Sequence, residues 1–189
     1  MTSRPDKSEL RRAFRMKRGA LAAANPDAAE RAAEALPFDV MPRFSIVSGY
    51  HALGSEMDPA PLLARFRAAG ALTALPVAKD RESPLSFRAW SPGDTLIPDG
   101  FGIPSPDPDA PEVTPSLVIA PVLAFDRAGG RLGQGAGHYD RTIAALRKRL
   151  PVFVLGLAYT GQEVAALPLE PHDIPLDAIL TENGYIPVR

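Results

Sequence analysis

Apolar and polar positions along this chain alternate between two periods. From about Pro5 to Ala24, Leu10, Phe14 and Leu21 recur at helical spacing and predict one apolar helix face. Asn25-Pro26-Asp27 breaks that helix, and a second is expected to run to about Leu36. Ser45 to Tyr50 reads as a short apolar strand, Pro59 to Ala69 as a helix closed by Gly70, and Leu72 to Val77 and Leu85 to Ala89 as strands. Leu117 to Val122 is continuously apolar, the pattern of a strand buried on both faces. His138 to Arg149 reads as a helix with Ile143 and Leu146 inward, and Val152 to Leu157 as a second buried strand. Ala178 to Leu180 closes the series as a short last strand.

Strands alternating with helices predict an α/β fold, a three-layer α/β/α domain with a mostly parallel central sheet. No internal repeat or linker divides the 189 residues, so a single domain over 1–189 is expected. Eight prolines between Pro84 and Pro115 exclude regular helix there and predict a long, stiffened surface excursion.

Composition narrows the chemistry. With no cysteine, disulfides and thiolate metal sites are excluded. No apolar run approaches the roughly 20 residues needed to cross a bilayer, and the basic N-terminus lacks a signal-peptide core, which makes cytoplasm the expected location and a membrane role unexpected. The net charge of −1 is unevenly placed: Met1 to Arg18 carries +5, leaving −6 for the remainder. A basic helix on an acidic body suits nucleic acid, a membrane surface or a phosphorylated small molecule, and equally a plainly solvated helix face.

The most informative segment is Arg131-Leu132-Gly133-Gln134-Gly135-Ala136-Gly137-His138-Tyr139-Asp140-Arg141. Glycines at alternate positions, followed by a helix start, allow backbone N–H groups to converge on an anion. The spacing is neither that of a Walker A loop nor G-x-G-x-x-G. A tight turn is the plain alternative. Asp140 is suitably placed for a Mg²⁺ bound to phosphate oxygens, or simply complements the helix dipole.

At this loop the chain resembles the 5-formyltetrahydrofolate cyclo-ligase family. Ala120-Pro121-Val122-Leu123-Ala124-Phe125-Asp126, then Gly130-Arg131-Leu132-Gly133, Gly135, Gly137 and Tyr139-Asp140, is similar to that family's P-G-x-x-F-D and R-L-G-x-G-x-G-Y-Y-D. Lys7-x-x-Leu10-Arg11, Glu56, Leu85-Ser86-Phe87-Arg88, Gly102-Ile103-Pro104-x-Pro106 and Pro171-His172-Asp173 extend the likeness, in order, over most of the chain. The resemblance implies a fold of the NagB/RpiA/CoA-transferase type and a ligase reaction of 5-formyltetrahydrofolate, with or without a polyglutamate tail, with ATP and Mg²⁺. The implied products are 5,10-methenyltetrahydrofolate, ADP and phosphate.

Residue by residue, the resemblance implies ATP contacts at Lys7, Arg11 and Arg131, Leu132, Gly133, Gln134, Gly135, Ala136, Gly137, His138 and Tyr139. It implies folate contacts at His51, Glu56 and Gln134 through His138, and Mg²⁺ ligands at Asp140 and Asp173. No covalent or general acid–base residue is implied. Two positions depart from the pattern: His138 stands where the family usually has a first tyrosine, and Val122 where it often has glycine. A monomer is expected and nucleic acid is not. The competing readings are a non-catalytic nucleotide- or RNA-binding module, and a sugar-phosphate isomerase on the same fold. Without the resemblance, Lys7 and Arg11 are a solvated stripe, Glu56 is a helix cap near Asp58, and Asp173 makes an Asx turn.

Overall fold

The computed structural model describes residues 7–168 and 170–188, together with every side chain among them except that of Lys7. The expected helix start at Pro5 therefore lies outside the described residues. Helix α1 covers Lys7–Ala24, α2 Ala28–Ala35 and α3 Ala60–Ala68. Helix α4, His138–Arg147, stops two residues short of the predicted Arg149. No described helix is long and apolar enough to cross a membrane.

The central sheet has seven strands. Strands β1 (Ile46–Ser48), β2 (Leu72–Val77), β6 (Leu117–Pro121), β9 (Phe153–Leu157) and β10 (Ala178–Thr181) run parallel, in the spatial order β10-β9-β6-β1-β2. Antiparallel strands close both edges: β3 (Ser86–Ala89) beside β2, and β11 (Gly184–Pro187) beside β10. The sequence reading missed β11, because Tyr185 and Ile186 are too few to set a period.

Strand alternation builds both cores. Leu117 and Ile119 face α2 and α3, packing with Ala32, Leu62, Leu63 and Phe66. Val118 and Ala120 face the other way, towards Ile143 and Leu146 of α4. Both faces of β6 are buried, which is why its sequence is continuously apolar. Val122, where the family often has glycine, is buried in the second core and serves packing.

Connection handedness follows from the strand order. The chain steps from β1 to β2 in one direction, through α3. It steps from β6 to β9 in the opposite direction, through α4. Right-handed crossovers then put the two helices on opposite faces, and the two separate cores place them there.

The proline-rich stretch 84–115 is more ordered than the sequence predicts. Within it β3 joins the main sheet, and β4 (Leu96–Pro98) pairs antiparallel with β5 (Pro104–Pro106). This second ladder belongs to a separate two-stranded sheet, where prolines are tolerated because few backbone donors need partners. Another small hairpin, β7 (Ala124–Phe125) with β8 (Arg131–Leu132), leads into the glycine loop.

Asp126 closes that hairpin from inside. Its Oδ1 accepts from the backbone N–H of Ala128 at 3.0 Å and of Gly130 at 2.9 Å, and Oδ2 accepts from Leu167 N–H at 2.8 Å. Gly130 is needed for close approach, since a Cβ there would stand 2.7 Å from Asp126 Oδ2. The aspartate of the F-D pair is thus structural, buried below the site. Asp126→Ala leaves these donors unpaired and is expected to cost about 3 kcal/mol of unfolding free energy. Urea denaturation followed by circular dichroism checks this.

Candidate active site

A cavity of about 770 Å³ opens at the carboxyl ends of the parallel strands. Its lining includes Tyr50 and His51, just past β1, Pro76 and Ala78, at and just past the end of β2, and Pro121, the last residue of β6. Between β1 and β6 the winding direction of the sheet reverses. Loops leaving neighbouring strands diverge at such a point, and the crevice between them is where open α/β sheets hold ligands.

The glycine loop forms one wall. Gly135 and Gly137 have φ of +104° and +67°, a left-handed region that side chains rarely adopt. Gly137 is the N-cap of α4, so the first N–H groups of the helix lie at the end of the loop. Leu132 enters differently from its neighbours. Its side chain is buried beside Leu10 and Phe14 of α1, which leaves its backbone for the site.

Helix α1 lies against this wall. Arg11 Nε donates to the Gly133 carbonyl at 3.0 Å, and Arg15 Nε donates to Gln134 Oε1 at 2.9 Å. A Cβ on Gly135 would come within 3.1 Å of the Arg11 guanidinium carbon. Arg11 is therefore packed on the loop and is no member of a solvated stripe. Lys7 opens the same helix, but its side chain lies outside the described residues. On the far side of the loop, His138 Nε2 stands 2.8 Å from the Asp80 carbonyl, and Arg141 Nη2 donates to the Ala136 carbonyl at 2.7 Å.

A buried carboxylate also lines the cavity. Glu56 Oε1 is 3.5 Å from Arg18 Nη1, and both side chains are only 6% exposed. Glu56 Oε2 accepts from Leu53 N–H at 3.0 Å, and Arg18 Nε donates to Ser55 Oγ at 3.1 Å. The cap near α3 falls to Asp58, whose Oδ1 accepts from Ala60 N–H, so Glu56 is not the cap. Tyr50 donates its hydroxyl to the Met57 carbonyl at 2.5 Å. Burial, then the nearby Glu56 charge, push the Tyr50 and Tyr139 phenols well above their ordinary range and keep them protonated. His51 lines the same region, half-buried.

Two carboxylates stand at the remaining side. Asp140 Oδ1 accepts from Arg131 Nη2 at 2.5 Å and from Ile174 N–H at 2.9 Å. Arg131 Nη1 also donates to the Ile174 carbonyl. Asp140 therefore ties the glycine loop to the segment after Glu170, a role that neither a metal ligand nor a dipole partner would have suggested. Asp173 lines the cavity beside Ile174, and its Oδ2 accepts from Glu170 N–H at 2.8 Å. This bond runs back to the third residue before Asp173 and is not the Asx turn offered as the plain alternative. Ligand atoms of Glu170, His172 and Asp173 lie within 4.8 Å of one another. Hard carboxylate oxygens are the donor set that Mg²⁺ prefers, and the described hydrogen bonds of Asp140 fall on Oδ1, leaving Oδ2 as a donor.

The structure thus brings Arg11, His51, Glu56, the run 131–140 and Asp173 to one cavity. Sequence reasoning missed Arg18. The signal was present: position 18 falls on the apolar face set by Phe14 and Leu21, and a charge there requires a buried partner. Arg81, Asp99, Phe101 and Ile103 also line the cavity. They sit on connections whose path no periodicity predicts.

Comparison with known proteins identifies the family of this chain. Residues 3–182 match the 5-formyltetrahydrofolate cyclo-ligase family. The chain is 34% identical over 154 residues to a 5-formyltetrahydrofolate cyclo-ligase of Mycolicibacterium smegmatis, covering 76% of this chain and 77% of that one. It is 35% identical over 144 residues to the protein of that name from Escherichia coli K12, covering 72% and 78%. Among solved structures, the Aquifex aeolicus 5,10-methenyltetrahydrofolate synthetase superposes with a TM-score of 0.77 at 29% identity, over 97% of this chain and 93% of that one. A Mycoplasma pneumoniae 5,10-methenyltetrahydrofolate synthetase shares the fold, with a TM-score of 0.72 at 19% identity. With its signature loop, its α/β sheet and its near-full-length match, the chain belongs to the 5-formyltetrahydrofolate cyclo-ligase family.

Proposed function

We propose that this enzyme cyclises 5-formyltetrahydrofolate to 5,10-methenyltetrahydrofolate, consuming ATP and releasing ADP and phosphate. The observation that carries the reading is the meeting, in one cavity, of a glycine loop contacted by a basic helix and a buried carboxylate. The first suits a triphosphate. The second suits the amino and ring N–H donors of a pterin.

The chemistry explains why both must be held together. A formamide oxygen is a weak nucleophile, and as hydroxide it is a poor leaving group. Transfer of the γ-phosphoryl group to that oxygen gives an iminium phosphate. N10 then adds to the formyl carbon, and loss of phosphate with the N10 proton leaves the methenyl bridge. The protein supplies alignment and charge compensation, since phosphoryl transfer needs little else from side chains. Holding two reactants in line can supply about 7–11 kcal/mol. In this reading Lys7 and Arg11 offset phosphate charge, and the N–H groups of 133–139 orient the phosphates. His51 and Glu56 position the pterin, and Gln134 through His138 lie between the two ligands. Asp140 and Asp173 would hold Mg²⁺, which supplies charge neutralisation on the phosphate oxygens. The expected product is detected directly, by the methenyl absorbance after mixing protein, 5-formyltetrahydrofolate and MgATP. Absence of that absorbance, with tight RNA binding instead, would overturn the reading in favour of a binding module.

Variants probe the separate parts. Arg11→Ala is expected to weaken ATP by about 10- to 100-fold, because a charge-assisted contact to phosphate is worth roughly 1.5–3 kcal/mol. Calorimetric titration with ATP measures it, and an unchanged affinity would remove Arg11 from the nucleotide site. Asp140→Asn carries two expected effects. It uncouples the buried Arg131 guanidinium from its counter-charge, at roughly 1–3 kcal/mol of stability. It also raises the Mg²⁺ concentration needed for half-maximal turnover. Asp173→Asn is expected to raise the Mg²⁺ requirement as well, and the double variant to be less impaired than the two losses added. A normal Mg²⁺ requirement in Asp140→Asn would leave this residue with its structural tie alone.

A further inference from the structure

Arg81 is an exposed cation lining the cavity, on the connection between β2 and β3. Among the described residues its guanidinium has neither a hydrogen bond nor an ion pair. The loop that carries it is nevertheless fixed at three points. The Asp80 carboxylate accepts from the backbone N–H of Glu82 at 2.9 Å and of Ser83, and from the Ser83 hydroxyl at 2.8 Å. These bonds lower the Asp80 pKa below the usual carboxylate range and so keep the turn ionised and closed. His138 holds the Asp80 carbonyl, and Arg141 donates to the carbonyl of Arg81 itself. A hydrogen-bonded loop thus presents an exposed, unpaired positive charge to the cavity.

Asp99, Phe101 and His138 line the same cavity as Arg81. Phe101 and Leu53, which also line the cavity, are each 42% exposed. The Phe101 ring meets the His138 ring edge-on, with centroids 5.6 Å apart, which holds the phenyl face in place. His138 also meets the Asp80 carbonyl, so an exposed aryl ring lies near the loop that carries this cation, which suits a ligand with a flat aryl group and then a carboxylate.

We infer that Arg81 binds a carboxylate at the glutamate end of the folate, with Phe101 and Leu53 flanking the aminobenzoyl ring. The inference rests on the folate reading of the cavity. It adds to that reading the residue that recognises the tail, and it gives the enzyme a means to distinguish glutamate-bearing substrates from the bare pteroate. The anion chemistry alone would also suit a phosphate of ATP, so the test separates the two sources.

Calorimetric titration of wild type, Arg81→Ala and Arg81→Lys with 5-formyltetrahydrofolate, and with 5-formyltetrahydropteroate that lacks the glutamate, provides that test. Arg81→Ala is expected to weaken the glutamate-bearing ligand roughly twofold to fivefold, the range for an exposed charge pair. The pteroate is expected to bind wild type and variant alike, Arg81→Lys to recover part of the loss, and added salt to shrink the wild-type preference. MgATP affinity is expected to stay unchanged. Equal affinity of wild type and Arg81→Ala for the glutamate-bearing ligand overturns the inference, as does an equal loss for both folates. A loss confined to MgATP also overturns it, by assigning the cation to phosphate. Wild type that binds neither folate would overturn the folate reading itself and this inference with it, an outcome distinct from tight folate binding that ignores Arg81.

Discussion

The reversal of winding between β1 and β6 is the constraint on which the rest of the molecule depends. Two right-handed crossovers leave the central strands in opposite directions, so their carboxyl-end loops cannot close over one another. A cavity results that apolar packing does not fill, because the two cores lie on the faces of the sheet and not at its end. The polar groups of the site therefore gather where backbone ends are already exposed, at modest cost to the core.

Helix α1 completes the cavity from outside the sheet. Leu21 and Ala22 pack on the first core, and Leu10 and Phe14 pack on the β7–β8 hairpin. Between these anchors the helix turns Arg11, Arg15 and Arg18 inward at spacings of four and three residues, which share one helical face. Arg11 and Arg15 touch the glycine loop, while Arg18 meets Glu56. A rigid helix thus fixes the distance between two walls that come from remote parts of the chain. The Arg18–Glu56 pair is buried, and removing either partner would strand the other charge.

The loops around the glycine run are held by side chains acting on backbone groups. Arg131 and Asp140 hold Ile174, Arg141 holds Ala136 and Arg81, and His138 holds Asp80. The histidine at position 138, which replaces the family's usual tyrosine, keeps a ring that can reach this carbonyl. Positioning a loop through its backbone leaves its side chains available for ligand, and Arg81 is the clearest example.

The sequence by itself determined the layers and the chemistry of the loop. Period-two and period-3.6 patterns are local, so β6, α3 and α4 were legible from residues that face known directions, such as Leu117, Val118 and Ile143. Alternating glycines before a helix likewise carry their meaning in adjacent residues. Tertiary structure decided the rest, because it depends on contacts distant in sequence. Arg131 meets Ile174 across 43 residues and Arg11 meets Gly133 across 122. No local pattern could give Asp140 its bond to Ile174, make Asp126 a buried turn anchor, order the proline-rich stretch into β4 and β5, or leave Arg81 unpaired at the cavity. Each of these follows from which chain segments the sheet reversal brings side by side, and that is set only when the whole sheet has formed.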